Sequence, residues 1–144
     1  MEAYHTSRVC QAVFLLLSAC VSRPALANGA TPAGTQADFS RQVSTLVTAY
    51  CPCAKCCGKY ADGKTATGTD AYTRGAAVAP KLISYGSVLD IPDYGRCVAD
   101  DTGGAMRNAA KRGEYHIDVR FPTHKEALAW GRKRLTVTIW SSPP

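Results

Sequence analysis

Three places in this chain combine residue types and spacing that can do chemistry. In Val98-Ala99-Asp100-Asp101-Thr102-Gly103-Gly104-Ala105 a carboxylate stands where an apolar run breaks into glycines. Glycines there let backbone or a ligand come close to Asp101, with Thr102, Gly103, Gly104 and Ala105 as candidate binding residues. Asp118 lies in the alternating run His116–Phe121, on the face opposite Ile117, Val119 and Phe121. If both faces of that strand are covered, its carboxyl loses solvation and its pKa rises. A carboxylic acid that keeps its proton near neutral pH is what a general acid needs. The third place is Thr65-Ala66-Thr67-Gly68-Thr69, a small-residue loop suited to lining a groove, with Thr67 and Gly68 as candidate contacts. Taken singly, Asp101 also reads as a turn-capping aspartate, and Asp118 as an edge-strand charge paired with Arg120 or His116. His116 and His124 read as surface residues. No Ser-His-Asp set, phosphate loop or nucleotide fingerprint can be assembled.

Of the seven cysteines, Cys10 and Cys20 fall in the N-terminal leader described below, and the other five form a second constellation. Cys51, Cys53, Cys56 and Cys57 fall within seven residues, and Cys97 stands apart. Cys53 and Cys56 have the spacing of a zinc knuckle or a redox pair. Four thiolates so close would crowd one tetrahedral ion, so a metal held by Cys51, Cys53, Cys56 and Cys57 is the weaker reading. Disulfides among the five, with Cys97 tied to the cluster, are the stronger one for an exported chain. Five is an odd number, which leaves at least one thiol unpaired within the monomer, and the connectivity stays open.

The elements that must position these groups are short. Strands are predicted at Leu46–Tyr50, Ala76–Ala79, Ser87–Ile91, Arg96–Asp101, His116–Phe121 and Leu135–Trp140, punctuated by Pro80, Pro92, Gly103-Gly104 and Pro122. Thr123 with Glu126 is a capping box that opens one helix running to about Arg132. Many short strands with one good helix indicate a mainly β fold, a small barrel rather than a parallel α/β sheet.

The 144 residues make one domain at most. Arg8 and the apolar stretch Val9–Ala19 read as a signal peptide, since the run is too short for the roughly 20 apolar residues of a membrane span. Two processing sites compete: Ala25-Leu26-Ala27, which ends the leader at residue 27, and the lipobox Leu17-Ser18-Ala19-Cys20, which ends it at residue 19 with Cys20 lipidated. Residues 28–42 read as a flexible linker, 43–140 as the folded domain and 141–144 as a tail. Formal net charge is +6, but the basic residues are scattered and lack the aromatic interleaving that stacks bases. Nucleic acid is therefore not the expected partner; an anionic envelope polymer or lipid surface suits an exported basic chain.

The order of motifs is more specific than any one of them. Val47–Tyr50, Thr65–Thr69, Gly75–Pro80, Tyr85–Gly95, Val98–Met106, Ile117–Phe121 and Thr123–Gly131 together resemble the three-aspartate (3D) domain. That domain is shared by murein lytic transglycosylase A and small stationary-phase muralytic enzymes. The resemblance covers about Val47 to Ile139. It implies a six-stranded double-psi β-barrel and cleavage of the β-1,4 bond between N-acetylmuramic acid and N-acetylglucosamine, with a 1,6-anhydro product. It further implies Asp118 as acid and then base, Asp101 as its helper, peptidoglycan glycan strands as partner, no cofactor, and a monomer in the bacterial cell envelope or outside the cell. Two departures stand out. The third aspartate of the family falls at Pro122, and the stretch between Ala105 and Ile117 is longer and basic, enough to add a helical turn at a groove rim.

Two other function classes fit parts of the chain. A non-catalytic envelope-binding module on the same barrel would hold glycan strands without cutting them. An aspartic-type protease is suggested by Asp101-Thr102-Gly103, but the chain has one such triplet and would need a dimer.

Overall fold

The computed structural model describes residues 40–141. The leader, both processing sites, Cys20 and the linker up to residue 39 lie outside the described residues. Among the described residues there are six strands: β1 (Ser40–Tyr50), β2 (Ala76–Ala77), β3 (Val88–Ile91), β4 (Gly95–Asp101), β5 (His116–Arg120) and β6 (Lys133–Trp140). They close into a barrel, as the short alternating runs predict, and its strand order is β1-β5-β2-β4-β3-β6. β1 starts at Ser40, so the last residues of the expected linker, Ser40–Gln42, already pair with Trp140, Ile139 and Thr138 of β6.

Period-two alternation sends Val47 of β1, Ile117 and Val119 of β5, and Val137 and Ile139 of β6 inward, all fully buried. Leu89, Ile91 and Ala99 complete the interior from β3 and β4. Cys97 lies in this apolar cluster, and all five described cysteines are free thiols. The expected tie between Cys97 and the other four is therefore not formed: Cys97 fills the barrel core as a small apolar side chain.

Where one helix is expected, the described residues form three: α1 (Ala54–Cys57), α2 (Gly104–Lys111) and α3 (His124–Trp130). α3 opens on the capping box: the Thr123 hydroxyl accepts from the Glu126 N–H, and the Thr123 N–H donates to the Glu126 carboxylate. Trp130 then packs against Tyr94 and Phe121 at ring separations of 6.0 and 5.8 Å. α2 occupies the long basic stretch after Ala105 and seats only Met106 and Ala109.

Two strand pairs are parallel, β1 with β5 and β2 with β4. The first sets Thr48 opposite Asp118 and Tyr50 opposite Arg120. β2 is flanked by β4 and β5, and its Ala77 pairs with Asp101 on one side and Asp118 on the other. Two carboxylates seventeen residues apart in sequence thus stand at one level, two strand spacings or about 10 Å apart along the backbone.

Candidate functional site

Asp101 and Asp118 line the same groove, of about 510 Å³, with Ala77 between them. Thr102, Gly103 and Gly104 form part of its wall. Ala105, Thr67 and Gly68 do not line it; Thr65 and Ala66 represent the threonine loop there instead. The reason is that Thr67 is turned to β4, where its hydroxyl donates to the Asp100 carbonyl at 2.9 Å. Thr69 likewise donates to Asp100 Oδ2 at 3.1 Å. Gly68 adopts a φ of 81°, which only glycine takes freely, and turns the loop back. Pro122, where the third aspartate would stand, lies outside the groove, beside Tyr72 and Phe121.

The two carboxyls are held differently. Asp101 accepts three hydrogen bonds: from the Tyr50 hydroxyl at 2.6 Å, the Thr102 N–H at 2.8 Å and the Ala66 N–H at 2.9 Å. These donors fix its orientation. Asp118 accepts one, from the Thr48 hydroxyl to Oδ1 at 2.8 Å, and among the described residues its other oxygen has no hydrogen-bond partner. Burial raises the Asp118 pKa to about 6, the Thr48 bond opposes the shift, and the nearby Asp101 charge adds to it. One carboxyl is fixed by its donors, and the other is dry enough to keep a proton near neutrality.

Behind each carboxyl stands a supporting chain that the sequence does not announce. His116 Nε2 lies 2.9 Å from the Thr48 hydroxyl. With Thr48 donating to Asp118, that nitrogen carries the hydrogen. Burial, together with Arg132 and Arg112, holds the imidazole below its ordinary pKa. His116 is thus half-buried and engaged, not a free surface residue. On the other side, the Tyr50 hydroxyl accepts from Arg120 Nη1 at 3.1 Å while donating to Asp101. Burial, reinforced by the Asp101 bond, pushes the phenol pKa up, so it remains a donor.

Arg120 pairs with Asp100 at 2.7 Å, with side-chain exposures of 1% and 11%. It also donates from Nε to the Thr73 carbonyl at 2.8 Å. The pairing of Asp118 with Arg120 is therefore not formed; Arg120 serves Asp100 and Tyr50. This buried pair needs Gly75, because a Cβ there would stand 2.6 Å from Asp100 Oδ1 and closer still to Arg120 Nη2.

At one end of the groove lies the cysteine cluster. Pro52, Cys56 and Cys57 contribute to the wall. Cys51, Cys53 and Cys56 face one another and the His124 ring, and their three sulfurs and one ring nitrogen all lie within 4.8 Å. Cys57, grouped with them in the sequence reading, points away and donates to the Cys51 carbonyl at 3.3 Å. The Cys51 thiol, with N–H groups of Cys56 and Lys55, lowers the Cys53 pKa to about 7. His124, expected at the surface, is half-buried against the sulfurs.

Residues 74–141 match the family model of the 3D domain. Two relatives come from Bacillus subtilis (strain 168). YabE, whose name describes cell wall shaping, is 35% identical over 96 residues, covering 64% of this chain and 21% of YabE. The cell wall-binding protein YocH is 36% identical over 81 residues, covering 54% of this chain and 26% of YocH. The chain spans only about a quarter or less of either relative's length.

Proposed function

We propose that this domain acts on peptidoglycan in the bacterial envelope, and that it is a lytic transglycosylase that cuts the bond between N-acetylmuramic acid and N-acetylglucosamine. The observation that carries the reading is Asp118, a buried carboxyl with a pKa near 6 and one oxygen free of protein partners, set in a groove across from Asp101. The wall-related names of YabE and YocH support the substrate class. Among the described residues no helix is long and apolar enough to cross a membrane.

Ordinary glycosidases need one carboxyl as acid and a second as nucleophile or base. Here the sugar's own 6-hydroxyl replaces the second. Protonated Asp118 donates its proton to the glycosidic oxygen as the C1–O bond breaks. The muramic acid 6-hydroxyl then attacks C1 and gives its proton to the Asp118 carboxylate, restoring the acid. Asp101, held by Tyr50, Ala66 and Thr102, positions the sugar and carries negative charge near the cationic C1 of the transition state.

Digestion of purified peptidoglycan, read by mass spectrometry, tests this. Wild type releases 1,6-anhydro muropeptides, and Asp118→Asn lowers the rate at least about 100-fold, the contribution of a positioned general acid. The rate also falls about tenfold per pH unit above a pKa near 6, as the acid loses its proton. Reducing ends without anhydro sugar would mean hydrolysis.

A second reading, a module that binds glycan strands without cutting, is favoured by the printed name of YocH and by Pro122 in the place of the family's third aspartate. In that case neither protein releases anhydro sugar, and Asp118→Asn sediments with sacculi as wild type does.

A further inference from the structure

We propose that Cys51, Cys53, Cys56 and His124 form a zinc site that braces the end of the groove. The four donors come from two places far apart in sequence: the segment that follows β1, and the first residue of α3. Cys51 Sγ lies 2.9 Å from Cys53 Sγ and 3.5 Å from Cys56 Sγ. His124 Nδ1 lies 3.3 Å from Cys56 Sγ and 3.8 Å from each of the other two sulfurs. A tetrahedral zinc ion with Zn–S near 2.3 Å and Zn–N near 2.0 Å sets its donors about 3.5 to 3.8 Å apart. Most of these separations already fall there, and Cys51 and Cys53 need only spread by under about 1 Å.

The local backbone has the form such a site uses. The N–H groups of Cys56 and Cys57 both donate to the Cys53 carbonyl, at 3.0 and 2.9 Å, which curls the Cys53–Cys56 turn around a common centre. A disulfide explains the arrangement less well. It would join two sulfurs and leave the third, and the histidine nitrogen that faces all three, without a role. Soft thiolates with one imidazole select zinc among the common divalent ions. Four protein donors close the coordination sphere, so the site is structural and offers no open position for substrate.

Its effect reaches the groove. Cys51 directly follows Tyr50, the donor to Asp101, and Pro52 and Cys56 belong to the groove wall. Zinc would pin this segment to the N-terminus of α3 and hold Tyr50 in place.

The test is metal content and stability of the full chain, isolated with its thiols protected, and neither readout depends on activity. About one zinc per chain is expected. Replacing it with Co²⁺ should give the thiolate-to-metal charge transfer and tetrahedral bands of a sulfur-rich site. Cys56→Ser and His124→Ala should lose most of the metal, His124→Cys should recover it, and Cys57→Ser should keep it. Removing zinc from the wild type with a chelator should lower Tm, and adding zinc back should restore it. Wild type that neither retains zinc on isolation nor takes up Co²⁺ as reduced apo-protein would overturn the proposal. So would a Cys57→Ser variant that loses as much metal as Cys56→Ser, or a disulfide between two of the three ligands in the protein as isolated.

Discussion

Asp118 shows how one residue sets function against stability. Its folded pKa of about 6 lies above the ordinary value of 3.8, so the native state binds this proton more tightly than the unfolded chain does. The stability it contributes is full below about pH 4 and is lost as pH rises through about 6. By pH 7.5 the ionised carboxyl costs up to about 3 kcal/mol, at about 1.4 kcal/mol per pKa unit. Asp118→Asn cannot ionise, and its amide can still accept from Thr48. The variant should therefore be more stable than wild type at pH 7.5, by up to about 3 kcal/mol, and equal to it near pH 4. Urea unfolding at the two pH values checks this. An asparagine variant less stable than wild type at pH 7.5 would mean that the Thr48 hydrogen bond outweighs the lost solvation. The same substitution removes the proposed acid, so the stability gain and the activity loss should come from one atom change.

At the scale of elements, the site is a product of strand register. Parallel pairing sets Thr48 beside Asp118 and Tyr50 beside Arg120, and β2 sets Ala77 between the two aspartates. Gly75, just before β2, gives the Arg120–Asp100 pair its space. Gly75→Ala should force that buried pair apart and destabilise the domain by about 3 kcal/mol, the range for a broken buried ion pair, as thermal unfolding would show. Loss of under about 0.5 kcal/mol would mean that the pair shifts without breaking. The strands themselves were legible: alternation at Ile117, Val119, Val137 and Ile139 is local, and so is the Thr123–Glu126 capping box. Asp101 and Asp118 were legible as candidates because each breaks a local pattern. Thr48 and Tyr50 were not legible as their partners, because Thr48 lies about seventy residues from Asp118 and Tyr50 about fifty from Asp101, and no local signal encodes contacts at that range. α2 was hard to place because it buries only Met106 and Ala109, too few for a clear helical stripe. His124 was misplaced for a related reason: its partners are the cysteines after β1, not its helix neighbours.

For the whole molecule, closure of the barrel leaves none of its six strands with an open edge, so the faces and rims of the barrel are what it offers a partner. The formal net charge of +6 gives that surface a field, and the proposed partner is an anionic wall polymer. Attraction of this kind acts over about 10 Å at 0.1 M salt and shortens as salt rises. The groove contacts proposed for Asp118, Asp101 and the backbone around Gly103 would act at hydrogen-bond range and be screened far less. The two contributions should therefore separate. Sedimentation with purified sacculi should weaken several-fold between about 50 mM and about 300 mM salt, in wild type and Asp118→Asn alike, because the variant changes the groove and leaves the surface field nearly intact. Binding that does not respond to salt would assign association to the groove alone. An Asp118→Asn variant with a clearly different salt response would mean that the carboxyl is part of the charge the polymer meets, and that it is ionised when the strand arrives. A proton donor must not be, so this measurement on the whole molecule also bears on the chemistry of its central residue.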